Sequence, residues 1–396
     1  MAHRASVTHP PPWLHRFAVF TAAATLILIC FGGLVTSHGA GLAVPDWPNT
    51  YGYNLFFFPI SKWVGGIFYE HTHRLAGAVV GLLTLILAGW LWRKEPRSWL
   101  RWLGGLALAA VVLQGVLGGL RVLLLRDQLG LVHAATAQLF FVLVCLIALA
   151  TSRWWLQAGT GNGGRTRDQV KPSQDPARAE ATRLRPQGNQ RLLTSSPAVS
   201  RPPQARLGRW LLAATLLVFA QLLLGAAMRH RHAGLAVPDF PLAYGRFWPR
   251  TDAPSLARYN QQRAEAQAVM PITAYDVHLH LAHRIGACIV AGAVGGAWWI
   301  TRRRLGPRHL LTRSAVAWLG LLGVQFGLGA ATVWTGKSAD LTTAHVAVGS
   351  LILAWGALQT TAAFRLFVSP RGRELLADNA GPQNRANGAV PQASPP

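Results

Sequence analysis

Four histidines of this chain, His73, His133, His283 and His345, stand inside long apolar runs. An ionisable ring in such a setting is costly and marks a functional site by default. Neutral imidazole is a ligand for transition metals, and two imidazoles from neighbouring helices suit the opposite faces of a flat iron porphyrin. The plainer alternative for any one of them is an interfacial histidine bonded to a carbonyl. Zinc or copper would want three or four clustered Cys, His or carboxylate ligands, which two histidines per site do not supply. Glu70 precedes His73 by three residues and shares its helix face. A carboxylate there suits proton handling or stabilisation of positive charge; an i,i+4 ion pair with Arg74 is the structural alternative. Arg74 and Arg284 directly follow two of the histidines, placed either to pair with a porphyrin carboxylate or to snorkel to the interface.

The pairing of these residues comes from an internal repeat. GLAVPDWP at Gly41–Pro48 returns as GLAVPDFP at Gly234–Pro241, and His73-Arg74 returns as His283-Arg284. Gln114 followed by Leu117-Gly118 returns as Gln325 followed by Leu328-Gly329, and His133 returns as His345. Parallel repeats place their sites equivalently, so each half is expected to hold one histidine pair. The halves differ where His280 takes the place of Glu70. The duplicated loops, with their helix-breaking Gly and Pro, are expected to lie over the pockets as lids. Gly77, Gly81 and Gly286 below the histidines leave room either for a porphyrin face or for close helix packing. His71, His278 and His280 are further outer-face histidines, and His38, His230 and His232 flank the repeated loops.

The elements that must carry these residues are membrane helices. Half the chain is hydrophobic (51%) and only 13% charged, with 40 Gly and 16 Trp in 396 residues. Apolar runs at roughly 17–36, 71–92, 102–120, 129–150, 210–228, 277–300, 314–336 and 341–364 are long enough to cross a bilayer, and helix satisfies their backbone there. The expected fold is an all-α membrane protein of eight transmembrane helices in two pseudo-symmetric four-helix bundles. A 1–16 N-terminal tail leads into a 17–151 half; a 152–207 linker, basic and disordered by composition, joins a 208–365 half, and a 366–396 tail follows. The net charge of +24 reflects basic loops between spans and not nucleic-acid binding. Arg93, Lys94, Arg97 and Arg101 follow the second span, and Arg302, Arg303, Arg304, Arg308 and Arg313 the sixth, against Lys62, Arg121, Arg126 and Lys337 in opposite loops. The positive-inside rule then puts both termini in the cytoplasm. The six arginines of residues 229–276 dissent, but long loops weigh less. Each histidine falls near the outer end of its helix, about 6 Å deep at ~1.5 Å per residue.

The two-fold repeat, the Glu-x-x-His-Arg motif at Glu70–Arg74, His283-Arg284 and the lone His133 and His345 resemble the heme A synthase family. The resemblance covers both halves and excludes the linker and tails. It implies an eight-helix inner-membrane oxidoreductase that oxidises the methyl group at position 8 of heme O to a formyl group, making heme A for terminal oxidases. It further implies a cofactor heme b on the iron ligands His283 and His345 with Arg284, substrate heme O at His73 and His133 with Arg74, and a catalytic Glu70. Implied partners are the lipid bilayer, heme O synthase as supplier and an unidentified electron acceptor; homo-oligomerisation stays open. Outer-loop cysteine pairs found in some bacterial members are missing here, Cys30, Cys145 and Cys288 all lying in apolar stretches. A di-heme b-type electron-transfer cytochrome, or a heme transporter or chaperone, would use the same four histidines.

Overall fold

The computed structural model describes residues 12–159, 205–265 and 270–367. The first half consists of α1 (Pro12–Ser37), α2 (Gly65–Lys94), α3 (Ser98–Leu124) and α4 (Asp127–Thr151), with a short α5 (Arg153–Gly159) after them. The second half consists of α6 (Ala205–His230), α7 (Ala253–Glu265), α8 (Ala274–Leu305), α9 (Leu310–Trp334) and α10 (Ala339–Phe367). Among the described residues, eight of these helices are long and apolar enough to cross a membrane, all but α5 and α7. Most of the expected linker, and most of both tails, lie outside the described residues.

The helices outrun the apolar runs because their ends accept charge. Arg93 and Lys94 close α2, and Arg302, Arg303 and Arg304 close α8, where cations meet the negative end of the helix dipole. At its start, α8 carries a capping box in which Thr273 and Asp276 satisfy each other's backbone N–H. Only α9 stops short of the expected 336, because Gly336 (φ 62°) and Lys337 (φ 72°) turn left-handed. Within the long connection 231–273 the structure adds α7, whose Tyr259 is buried against Val237, Ile272 and Val277.

The halves share one packing scheme. In the first, α1 packs on α2 and α4, and α3 lies between α2 and α4. In the second, α6 packs on α8 and α10, and α9 lies between α8 and α10. They meet through α1 on α10, α4 on α6 and α4 on α10, contacts that exchange with one another when the halves are swapped. Each half has its own core: Leu14, Leu87, Leu91, Leu100, Val144 and Ile147 in one, and Leu207, Leu211, Val294, Leu311, Trp318 and Ile352 in the other. These residues fill the ends of the bundles remote from the repeated loops. The histidines occupy the opposite ends, where a cavity replaces the packed core.

Candidate functional site

A cavity of about 1410 Å³ reaches across both halves and is lined by His73, His133, His283 and His345. Each imidazole lies against a glycine of a neighbouring helix. A Cβ at Gly32 would stand 3.1 Å from Cε1 of His73, and one at Gly225 the same distance from Cε1 of His283. At Gly329 it would stand 3.2 Å from His345, and at Gly118 3.5 Å from His133. The second-half rings face each other with centroids 6.4 Å apart and planes at 65°. An imidazole–metal bond is about 2 Å long, so two rings sharing one metal stand roughly 6 Å apart centre to centre. His73 and His133 share the cavity with the second-half rings. Nδ1 of His73 and of His345 is buried without a hydrogen-bond partner. This donor set fits a planar metal group gripped from both sides. Among the described residues no group of three or more His, Cys, Asp or Glu gathers. Gly77 and Gly81 line the cavity with open space above them, whereas Gly286 packs against Gln221 and Leu224.

The repeated loops cover this cavity, with Trp47, Pro48, Phe240 and Pro241 in its wall. Their construction is the same bond for bond. The Asp46 carboxylate accepts from Tyr51 N (2.7 Å) and Gly52 N (2.8 Å), and Asp239 accepts from Tyr244 N (2.7 Å) and Gly245 N (2.8 Å). Tyr51 Oη donates to Ala43 O and Tyr244 Oη to Ala236 O. Both central pairs, Tyr51-Gly52 and Tyr244-Gly245, have positive φ, as a two-residue turn of type I′ requires. Burial raises the Asp46 carboxyl, but the N–H groups of Gly52 and Tyr51 and the Arg74 charge outweigh it and hold it below its ordinary value. Burial pushes the Tyr244 phenol up to about 12.

Arg74 and Arg284 fasten the loops. Arg74 donates to the carbonyls of Val44 (2.9 Å), Asp46 (2.6 Å) and Asn49 (2.9 Å), and to Glu70 Oε1 (2.8 Å). Arg284 donates to the carbonyls of Val237 (3.4 Å), Asp239 (2.6 Å) and Leu242 (2.8 Å). Both line the cavity, but their hydrogen bonds here run to loop backbone and, for Arg74, to Glu70. Glu70, 4% exposed, also accepts from Val44 N through Oε2 (2.9 Å). In the other half His280 Nδ1 accepts from Val237 N (3.3 Å), at the same point of the same loop. The Glu70–Arg74 ion pair, the structural alternative to a chemical role, is therefore present, and Glu70 shares its anchoring task with an imidazole in the duplicate.

Other histidines lie at the same end of the bundles as the repeated loops. His71 pairs with Thr50 Oγ1 (3.1 Å) and lies among Phe58 and Trp63, His278 pairs with Thr251 (3.3 Å), and His38 stacks on Tyr69. Three partners of the ligand-like rings emerge only in three dimensions. Gln325 Nε2 lies 3.3 Å from His345 Nε2, and Gln114 reaches His133 Nδ1 at 3.2 Å in its better-bonded amide orientation. Gln221 Nε2 reaches both His283 Nδ1 (3.1 Å) and the His283 carbonyl (2.7 Å). The residue matching Gln221, four before Gly32 as Gln221 is four before Gly225, is Leu28, which has no side-chain amide to offer His73.

Fold and site together define a class: a multi-pass membrane protein in which two matched pairs of histidines line one cavity under matched loops. Comparison with known proteins is specific about which one. The chain belongs to the Cytochrome oxidase assembly protein family, whose profile matches residues 53–356. It is similar to a heme A synthase of Symbiobacterium thermophilum, 28% identical over 375 residues covering 93% of this chain and 99% of that protein. It is also similar to a heme A synthase of Halalkalibacterium halodurans, 23% identical with 85% and 92% covered, and to one of Shouchella clausii, 24% identical with 60% and 65% covered.

Proposed function

We propose that the chain is a heme A synthase, an oxidoreductase converting the methyl group at position 8 of heme O to a formyl group. The observation that carries this reading is a duplicated histidine pocket in which only one copy has a carboxylate, Glu70, where the other has His280. His283 and His345 would hold heme b, whose iron supplies one-electron redox chemistry when bound. His73 and His133 would take heme O as substrate. Turning methyl and one water into formyl releases four electrons and four protons, and the electrons need an acceptor outside this chain.

The chain's own groups then have distinct tasks. Arg74 and Arg284 keep the loops closed over the pockets and limit water there. Glu70, oriented by Val44 N and Arg74, puts negative charge in the wall of the first pocket, where it stabilises positive charge developing on the substrate and receives a proton. The loop charges support an inner-membrane setting with both termini cytoplasmic and both pockets toward the outer face. Heme O would arrive from heme O synthase. The test is expression with a heme O source in cells lacking their own synthase, followed by extraction of hemes. Heme A should appear; a folded, heme-loaded protein that yields none would leave the electron-transfer cytochrome in its place.

A further inference from the structure

Arg121, Arg229 and Lys337 come from three different elements, the last turn of α3, the last turn of α6 and the α9–α10 connection, and all three line the same cavity. They form one group. A Cβ at Gly130 would stand 3.0 Å from Arg121 Nε and 2.5 Å from Cε1 of His230, the residue after Arg229, and one at Gly234 would stand 3.9 Å from Lys337 Cδ. None makes a salt bridge: among the described residues the ion pairs are Arg74–Glu70, Arg97–Glu95 and Arg231–Asp276. Arg229 reaches across the junction of the halves to the Gly33 carbonyl and, at 3.2 Å, to Ser37 Oγ, and its Nε is buried without a partner. The Arg121 guanidinium lies against Gly41 and Gly130, where a side chain would strike it.

Like charges gathered in a half-buried wall repel and lose hydration, a cost that a bound anion removes. The group is also no relic of duplication. Arg121 lies three residues after Gly118, and the residue three after Gly329 is Thr332; Arg229 lies four after Gly225, and the residue four after Gly32 is Thr36. Arg121 and Arg229 are therefore each an addition to one half only, yet both reach the cavity wall that Lys337 also lines. Arg74 and Arg284, the arginines beside the histidines, are already bonded to loop carbonyls.

Resting on the proposed function, we infer that Arg121, Arg229 and Lys337 form a carboxylate-binding site between the two halves, and that it holds the propionate groups of the hemes. Guanidinium and ammonium groups suit this task because charge-assisted bonds to carboxylate are short and strong. The site would orient each porphyrin about its histidine axis, something two axial ligands alone do not do.

The probe is a pair of hemes differing only in charge, ferric protoporphyrin IX and its dimethyl ester, titrated into the full-length protein in neutral detergent and followed by the low-spin Soret band. The native protein should prefer the free acid by about tenfold to a hundredfold, the range expected for one or two charged hydrogen bonds. Arg121→Gln, Lys337→Gln and the milder Arg229→Lys should each shrink this preference, and the first two combined should abolish it while ester binding persists. Equal binding of both hemes to the native protein overturns the site, as does a preference that survives the combined variant. Loss of co-purified phosphatidylglycerol with the heme preference intact would assign the cluster to lipid headgroups and also overturn it. If neither heme binds, the proposed function itself falls.

Discussion

Glu70 can be asked separately whether it anchors or whether it takes part in the reaction, because the second half supplies the control. Replacing it with alanine leaves Val44 N–H without an acceptor and removes one of four acceptors from Arg74. A buried group left unpaired costs about 1–3 kcal/mol, so Glu70→Ala mixes loop loosening with any chemical loss. Glu70→His instead installs the group found at His280, whose Nδ1 accepts from Val237 N at the matching loop position. Arg74 keeps its three carbonyl acceptors. The loop should stay closed while the carboxylate alone disappears. Formyl production should then fall by about 10²–10⁴-fold, the usual contribution of a positioned proton-transfer group, with heme content and helicity unchanged. The assay is heme A per bound heme, from extracted pigments of the purified variant against the native protein. A Glu70→His protein that makes heme A at the native rate would refute the chemical role and reduce Glu70 to a loop anchor.

Three further outcomes follow from the same geometry. Gln221→Leu, which copies Leu28 into the second half, should weaken heme retention there by about 10–100-fold, the usual effect of losing a partner of a ligating histidine; heme remaining after dialysis against apomyoglobin measures it. Gly225→Val should push His283 aside at a cost of about 1–3 kcal/mol and remove second-site low-spin heme, while Gly292→Val, with nothing within 4 Å of its Cβ, should leave the spectrum native. Because Asp46 is held below its ordinary value, its contribution to the first loop is complete above the unfolded value near pH 4 and is lost as pH falls through the lower folded value. Amide exchange at Tyr51 and Gly52 should quicken over that acid range, and Asp46→Asn should remove the dependence.

The bundle was legible because apolar runs of bilayer length admit little but helix, and because the repeated GLAVPD loop and histidines set the two halves in register. What the sequence hid are contacts between distant segments. Nothing adjacent to Arg74 tells that its guanidinium meets Val44, Asp46 and Asn49; the path of the loop decides it. Gln221 has no repeat partner to point to it, since its counterpart is Leu28, and Arg121, Arg229 and Lys337 sum to a charged wall only when three connections meet. One signal does lie in the sequence: Tyr-Gly follows the GLAVPD loop in both halves, at Tyr51-Gly52 and Tyr244-Gly245, and it builds the turn that each aspartate closes.

The differences between the halves fall where the proposed division of labour needs them. A resident cofactor calls for an axial histidine fixed in orientation, and His283 has Gln221 bonded to both its ring and its own carbonyl. A substrate must enter and leave, and His73 has a leucine side chain in that place. Reaction at the rim of one porphyrin calls for a charged group there and an uncharged one at the other, which is the contrast between Glu70 and His280. Were the protein an electron carrier with two equivalent hemes, the anchoring of Val44 N and Val237 N would give no reason for different residues, since either side chain accepts the bond. The histidines and glycines that build the two pockets are matched in pairs. The divergence lies in the residues that set how tightly each pocket holds its ring and what stands beside it.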